Sequence, residues 1–556
     1  MSIDRYLLTV ALAWAALAVF PGASEPFKVA GVALVAALLV LRTAVDMARL
    51  PRMAVLGCSA AALLAACCAL EPAVALVGSL ARAQGALIAL ALGVLAWAAS
   101  GLRRGDRQAL YRHAAILGGL LASYALLQRF GVDGIRWTHQ VPGRPAATLS
   151  NATALAGWLV LLLPMSAALA LAAGARRRLW WALTGLQLAA LLAAGSRSAL
   201  LALLAVGAAL WLLQEPRRRR YAAPALLAGL ALLMALAFWR PASLQDRVQL
   251  WGTAVQALVV TAPLVDLHGQ PDPIPALRPW IGFGPDQQQA PLAAARSPLG
   301  GRAEAAGWEA DRAHQGLLDR ALEMGLIGVL SGLLLVLAVA RSLLRCWRTD
   351  DADQRREAIC LALALGAWLL HLQAGFALTG DRTLAWVWIG LALGGLPADA
   401  PSAGRPAMRG GLILRIGLAL LLVIGGLAAG GVLPDAQLRR LAPALAAERD
   451  FVDGQQRYAR ALAAEPQRAA VELVASAHAF ESAARLRRFD RDAALAAASA
   501  WIEAAANGAG PAALQQSERW LQRLQAIGAD EQRLAPLRAR IAAVRAALGQ
   551  RPTAAS

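Results

Sequence analysis

The residue most suited to chemistry is His314, which lies in a polar segment directly ahead of a long apolar run. Residues 311–315 read DRAHQ, and the segment continues into a Glu-Met-Gly motif at 323–325. Because an imidazole changes charge near neutral pH, a histidine at a boundary between water and lipid is a candidate general base. In a helix, Asp311 would share a face with His314 and orient the ring. The alternative is an ordinary interfacial histidine with no catalytic role.

Three arginines in polar segments, Arg144, Arg197 and Arg247, are candidate ligands for phosphate oxygens. Arg197 follows Ser196 at a very short interruption between two apolar runs. A guanidinium at that depth is costly unless it is paired or faces water, and its planar fork of donors suits phosphate. The alternative for Arg197 is a snorkelling side chain at a helix end. For Arg144 and Arg247, taken singly, the alternative is a solvated loop charge.

The composition indicates a polytopic membrane protein. Of the 556 residues, 58% are hydrophobic and 16% are charged, and the mean hydropathy is +0.52. These values lie far from those of soluble proteins. The net charge of +19 follows from 54 basic and 35 acidic residues. Membrane proteins keep basic residues in their cytoplasmic loops, so this charge does not predict a nucleic-acid partner.

Apolar runs near the ~20 residues that cross a bilayer predict about 13 spans. Arginine-rich loops alternate with less basic ones, which places the N-terminus in the cytoplasm and the long loop and the tail outside. The first run is expected to be an anchored span and not a removable signal. The predicted division is an N-terminal transmembrane bundle (1–239), a large loop (240–315), C-terminal transmembrane helices (316–433) and a soluble helical domain (434–556).

The C-terminal domain has apolar residues at helical spacing, with a Gly-Ala-Gly-Pro break at 508–511. This pattern predicts either a short stack of helical hairpins, loosely like tetratricopeptide repeats, or an irregular helical domain. A stack of this kind usually presents a binding surface. We therefore expect a role in binding an acceptor or an envelope protein.

Metal and nucleotide sites are not indicated. None of the five cysteines has metal-ligand spacing with a histidine, and the long loop and the tail contain no cysteine. The sequence Gly282-Phe283-Gly284-Pro285 predicts a turn, because it lacks the glycine spacing and the lysine of a phosphate-binding loop. We expect no cofactor.

Taken together, these segments resemble the O-antigen ligase and polymerase superfamily of bacterial inner membranes, which includes O-linked protein oligosaccharyltransferases. The likeness lies in four motifs and their order along the chain: Ser196-Arg197, Arg247 with Trp251, the Gly282–Pro285 turn, and Ala313-His314-Gln315. The chain departs from the family pattern in two places. Gln315 stands where the family usually has Asn, and the motif before the sixth span is reduced to residues around Asn151.

The resemblance implies an all-α, GT-C-like glycosyltransferase that needs no metal and uses an undecaprenyl-diphosphate-linked glycan as donor. It implies a multi-pass protein of the bacterial inner membrane, with the long loop and the tail in the periplasm. The acceptor would be a glycan, a lipid or a protein. The implied catalytic residues are His314, Arg197 and Arg247. The implied substrate-binding residues are Arg144, Ser196, Asn151, Trp251, Gln315 and Asp311.

Two other functions stay open. The first is a transporter or lipid-linked glycan flippase, with the arginines lining a cavity; such proteins usually place polar groups near the bilayer midplane. The second is an envelope scaffold whose catalytic site has decayed, which the change at Gln315 would fit. The polar motifs gather on one face of the membrane, and this favours surface chemistry over passage.

Overall fold

The computed structural model describes residues 2–20, 24–42, 50–79, 82–135, 143–172, 174, 176–214, 219–221, 224, 227–228, 231, 241–259, 264–295, 311–394, 409–529 and 531–549. Within these ranges the chain is helical, and its one β-type contact is an isolated bridge between Val265 and Pro271. The predicted all-α class is confirmed. Most of the predicted ninth span, which ends near residue 239, lies outside the described residues.

The helices of the apolar part are numbered in chain order: α1 (Ile3–Leu17), α2 (Ser24–Arg42), α3 (Leu50–Cys67), α4 (Pro72–Val77), α5 (Ala86–Ser100), α6 (Arg104–Arg129), α7 (Ala152–Ala172), α8 (Arg177–Ala194), α9 (Arg197–Gln214), α10 (Pro241–Val259), α11 (Arg278–Ile281), α12 (Gln289–Ala295), α13 (Gly316–Trp347), α14 (Ala352–His371), α15 (Thr379–Gly394) and α16 (Arg409–Ala429). The predicted long loop therefore includes helix α10 and two short helices.

Seven helices in the described ranges are long and apolar enough to cross a membrane: α2, α6, α7, α9, α13, α14 with the turn after it, and α16. Two shorter apolar helices, Met53–Cys67 and Ala86–Ser100, accompany them. Apolar side chains of these helices and of α1, α8 and α15 form a continuous core, in which Trp158 of α7 and Trp388 of α15 are fully buried. The chain is thus a multi-pass membrane protein.

The connections between the helices meet at two ends. At one end, which we call the loop end, Gln84 donates to Ala377 O at 2.5 Å and Leu70 N donates to Phe283 O at 3.1 Å. At the opposite end, Arg104 pairs with Asp351 at 3.1 Å in the connection between α13 and α14. The candidate residues in the described loops lie at the loop end.

Two sequence motifs dock onto each other at the loop end through glycines. Gly325 (φ 59°, ψ −160°) interrupts α13, so the carbonyls before it face the Gly282–Pro285 turn. Phe283 N donates to Leu322 O at 2.8 Å, and Gly284 N donates to Glu323 O at 3.0 Å. A Cβ on Gly282 would lie 2.3 Å from the Glu323 carbonyl carbon. Only glycine permits this approach with a positive φ.

The C-terminal domain consists of helices α17 (Asp435–Leu441), α18 (Pro443–Leu462), α19 (Pro466–Leu486), α20 (Arg491–Ala504), α21 (Pro511–Ala526) and α22 (Glu531–Gly549). Successive helices pack around a core of their own that contains Trp501 and Trp520. The domain also rests on the loop end. Arg488 N donates to Glu71 Oε1 at 2.7 Å, and Leu267 N donates to Arg488 O at 2.9 Å.

Candidate functional site

His314 lies in a turn and not in a helix. Its φ of 52° is unusual for a residue with a side chain, and α13 begins two residues later at Gly316. The helical arrangement expected for Asp311 and His314 is therefore wrong, because the residues between them do not form a helical turn. The turn nevertheless brings His314 Nε2 to 3.6 Å from Asp311 Oδ1. That distance is too long for an ordinary hydrogen bond but short enough for the carboxylate to orient the ring electrostatically.

Arg82 holds Asp311 from the other side. Its Nε donates to Asp311 Oδ2 at 2.6 Å, and a second guanidinium nitrogen contacts the same oxygen. Arg82 comes from the segment between α4 and α5, so the pair joins two distant parts of the chain. Arg82, Asp311 and His314 thus form a series in which the Asp311 carboxylate lies between two basic groups. This geometry favours the ionised form of Asp311, and Arg82 together with Arg312 holds the pKa of this carboxyl below its usual value despite burial.

Phe376 forms a platform under these groups. Its ring centroid is 4.5 Å from the Arg82 guanidinium carbon and 5.3 Å from the His314 ring centroid. The Arg312 guanidinium carbon lies 5.7 Å from the same ring. The face of an aromatic ring is electronegative, so it stabilises nearby cations without neutralising them.

His314 is held in its neutral form. Burial lowers its pKa from 6.5 to about 4, against the raising effect of the Asp311 carboxylate, and the charges of Arg82, Arg312 and Arg247 lower it further. One third of the side chain stays accessible. A neutral, accessible imidazole can accept a proton, so the ring is in the protonation state that a general base requires.

Arg312 is the most buried cation of this cluster. Its side chain is 4% exposed; two of its nitrogens lie 3.3 Å from Gln84 Oε1, and the nearest ion-pair contact is 3.7 Å, to Asp286 Oδ1. Its Nε has no hydrogen-bond partner among the described residues. Arg312 is close enough to His314 for its charge to lower the pKa of that ring.

Arg247 and Arg144 lie in a second group beside the first. Arg247 donates to Ala374 O at 2.8 Å, and Arg144 Nε donates to Ala194 O at 3.0 Å. Both bonds end on backbone carbonyls, which carry no formal charge. Burial and the neighbouring charge of Arg144 lower the pKa of Arg247. Two cations close enough to repel each other form a suitable site for an anion.

Ser196 and Arg197 begin helix α9 next to this group. Ser196 is buried and its hydroxyl lies 3.4 Å from that of Ser198, which in turn contacts His371 Nδ1 at 2.8 Å. Arg197 is exposed, and no described residue forms a hydrogen bond or an ion pair with its side chain. The structure therefore places Arg197 at the same end as Arg144 but does not join the two in a contact.

The remaining three predicted substrate-binding residues also make hydrogen bonds within the protein. Asn151 Oδ1 accepts from Thr153 N at 2.7 Å at the start of α7, and Gln315 caps α13 by accepting from Leu318 N at 2.6 Å. Trp251 donates to Ala313 O at 3.1 Å. The contacts of Gln315 and Trp251 shape the turn that carries His314. The predicted substrate contacts of these residues stay predictions.

Four residues of the site were not predicted from the sequence: Arg82, Arg312, Phe376 and His371. The signal available for Arg82 was the same as for Arg197, namely a lone arginine in a short polar connection between apolar runs. Arg312 is two residues before His314, and no separate role was predicted for it. Phe376 carries no polar atom, so its role as a platform depends entirely on the tertiary fold.

No group of His, Cys, Asp and Glu side chains in the described part of the chain has a metal-binding arrangement. The site offers a neutral base with a carboxylate partner, next to the apolar helices and to guanidinium groups that donate to backbone carbonyls. Such an arrangement can accept a proton from a hydroxyl and stabilise an anionic leaving group. In comparisons with known proteins, no family model matches the chain, and no curated protein matches it.

Proposed function

We propose that this protein is a membrane glycosyltransferase that transfers or polymerises an undecaprenyl-diphosphate-linked glycan onto a hydroxyl acceptor at the periplasmic face of a bacterial inner membrane. The observation that carries the proposal is the juxtaposition at the loop end. Neutral His314 is oriented by Asp311, and the carbonyl-bound cations Arg247 and Arg144 lie nearby. The resemblance of the motifs to the O-antigen ligase and polymerase superfamily agrees with this chemistry.

In the proposed reaction, the acceptor hydroxyl attacks the anomeric carbon of the donor sugar. A new bond forms between that carbon and the acceptor oxygen, and the bond from the carbon to the phosphate oxygen breaks. The hydroxyl proton moves to His314, and the bonding electrons leave with the lipid diphosphate. With a proton on Nε2 facing Asp311, Nδ1 of the ring is the atom that accepts.

The arginines stabilise the leaving diphosphate. Arg247, Arg144 and exposed Arg197 would donate hydrogen bonds to its oxygens, and their charge would oppose the charge that develops there. The group needs no metal to do this, because a guanidinium supplies both charge and directed donors. The polyprenyl chain would lie along the apolar helices.

The topology in this proposal has about 13 spans and a GT-C-like architecture. It requires that α1, α8, α15 and the residues between 221 and 241 also cross the membrane. The arginine clusters at 103–112, 176–178 and 345–356 belong to the end opposite the loop end. Positive residues concentrate on the cytoplasmic side, so this asymmetry supports a periplasmic loop end.

The first test is reconstitution of the purified protein in liposomes that contain the lipid-linked glycan of the source bacterium. Wild type and a His113→Ala control, altered at the opposite end, should transfer glycan, whereas His314→Ala should not. Deletion of the gene, with complementation by each variant, would identify the missing surface glycan and hence the acceptor. Full transfer by a normally inserted His314→Ala protein would refute the assignment.

A transporter or flippase is the alternative. Among the buried charges, Glu25 and Asp381 lie in the first turns of α2 and α15 at the loop end, and Lys28 pairs with Glu25 at 3.3 Å. This distribution favours chemistry at one face. Movement of lipid-linked glycan across liposomes without any transfer would instead support the transporter.

A further inference from the structure

A cavity of about 390 Å³ lies between the C-terminal domain and the loop end. Its floor is formed by residues of the loop end, including Ser79, Arg82 and Asp311, and its roof by helix α18 and the segment after α19. The volume is in the range of small-molecule sites. The Arg82–Asp311 pair is shared with the histidine cluster, because Asp311 Oδ1 is 3.6 Å from His314 Nε2. The cavity reaches Asp311 but not His314, so a glycan held in it must extend past Asp311 to place its reacting hydroxyl at the proposed base.

The walls of this cavity are rich in acceptors. Six carboxylates and two guanidinium groups line it. The carboxylates are Glu71, Asp286, Asp311, Glu448, Asp490 and Asp492. These carboxylates also bind protein groups, as Asp311 does with Arg82 and Glu71 does with Arg488 N. An ionised carboxylate accepts several hydrogen bonds, so the hydroxyl groups of a ligand can still donate to those that face the cavity. A phosphate or carboxylate on the ligand would face an excess of negative charge, which is costly in a partly enclosed site.

Two aromatic side chains complete the lining. Phe451 of α18 and Phe489 after α19 face the same cavity as the carboxylates. Phe451 is fixed by Phe480, with ring centroids 5.1 Å apart. Flat apolar surfaces beside hydrogen-bond acceptors match a sugar ring, which has apolar C–H faces and a rim of hydroxyl groups.

The cavity is unsuited to the donor. A lipid diphosphate is anionic and needs access to the apolar helices, whereas this cavity is acidic and covered by the C-terminal domain. From these observations we infer that the cavity is the acceptor site and that it takes an uncharged, hydroxyl-bearing glycan segment and rejects phosphorylated glycans. The role of acceptor site rests on the proposed function. The preference for neutral over phosphorylated glycans can be measured without any transfer.

The probes are surface oligosaccharides of the source bacterium, labelled at the reducing end and separated by anion exchange into neutral and phosphorylated fractions. Their binding to the full-length protein in nanodiscs is followed by fluorescence anisotropy. The variants are Glu448→Gln and Glu448→Arg in the cavity wall. The matched control is Glu472→Arg, on the neighbouring helix α19, where the carboxylate contacts Arg460 outside the cavity.

We expect wild type and Glu472→Arg to bind the neutral fraction at least tenfold more tightly than the phosphorylated one. Glu448→Arg should reduce or reverse this preference. Glu448→Gln should have a smaller effect in the same direction, and this milder variant serves as a control in case the arginine variant misfolds. Equal or tighter binding of the phosphorylated fraction by wild type would overturn the inference. So would an unchanged preference in both Glu448 variants, or binding of a serine-rich peptide in preference to both glycan fractions.

Failure of the proposed function would give results that differ from failure of the cavity assignment. His314→Ala should bind the neutral fraction as wild type does, because His314 does not line the cavity. If wild type binds neutral glycan with the expected charge preference but transfers none, the cavity assignment as a glycan site stands and the glycosyltransferase proposal fails.

Discussion

Each end of the helical bundle contains an arginine–carboxylate pair with a third titratable group. At the loop end, Arg82 holds Asp311 next to His314; at the opposite end, Arg107 Nε donates to Glu357 Oε1 at 2.8 Å and the Tyr111 hydroxyl binds the same oxygen. The first group is open, since Asp311 and His314 are 44% and 33% exposed, whereas Arg107 and Glu357 are 10% and 13% exposed.

The comparison shows that an ion-pair network by itself does not indicate a catalytic site. The opposite-end group is closed by hydrogen bonds among its own members, and the natural interpretation is that it ties α6 to α14. The loop-end group has an accessible, neutral base, with exposed Arg197 and carbonyl-bound Arg247 nearby. Access and incomplete pairing, and not the presence of charges, distinguish a site for chemistry from a structural contact.

The largest expected effect comes from removing the base. His314→Ala should reduce transfer by about 10³-fold, within the range for loss of a general base. Tyr111→Phe, which alters the third member of the closed network, should leave transfer within about twofold. The two variants are compared by their rates of glycan transfer in liposomes, normalised to the amount of inserted protein. Equal losses in the two variants would remove the distinction between the two ends.

The next largest effect should follow loss of Arg247, which donates to a backbone carbonyl and, within the described residues, has no ion pair with a carboxylate. Arg247→Ala should lower transfer by about 10²-fold, as removal of a charged transition-state donor does. Arg247→Lys should recover part of the rate, because it restores charge but not the planar fork. The matched control is Arg104→Ala at the opposite end, where the side chain pairs with Asp351 and Asp353. A rate for Arg247→Ala equal to that of the control would exclude a role on the diphosphate.

Asp311→Asn should have a smaller effect, about tenfold on transfer, because Asp311 acts through His314. The pH profile identifies its role. Transfer needs neutral His314, so kcat/KM in wild type should be flat above pH 5 and fall as pH drops through about 4, where the ring protonates.

The Asp311 carboxylate raises the pKa of His314, so its removal should lower that pKa. The acid limb of Asp311→Asn should therefore move to lower pH while the plateau rate drops. A limb that stays at the wild-type position would mean that Asp311 has only a structural role.

The smallest effect on transfer is expected from Glu357→Gln. Loss of this carboxylate leaves the mostly buried Arg107 without its ion partner, which should cost roughly 3 kcal/mol of stability. Thermal unfolding in detergent should show a lower Tm, and the rate per folded molecule should stay at the wild-type value. A specific loss of rate without a loss of Tm would show that the two ends are coupled.

Much of the fold could be predicted from local sequence, but the candidate site could be predicted only in part. Apolar runs indicate the long helices directly, since burial in lipid needs consecutive apolar residues. The predicted starts of α13 and of the C-terminal domain lie within a residue or two of Gly316 and Asp435. The predicted long loop contains helix α10, which is not among the helices long and apolar enough to cross a membrane.

The sequence by itself determined the helical class, the membrane character and the list of polar motifs, because hydropathy and periodicity are local properties of the chain. The tertiary structure decided which motifs meet. Asp311 pairs with Arg82, which is 229 positions away along the chain, and the Gly282–Pro285 turn docks on the interruption at Gly325. The roof over Arg82 and Asp311 comes from the C-terminal domain. Such contacts depend on how the helices pack, and no local pattern records that packing.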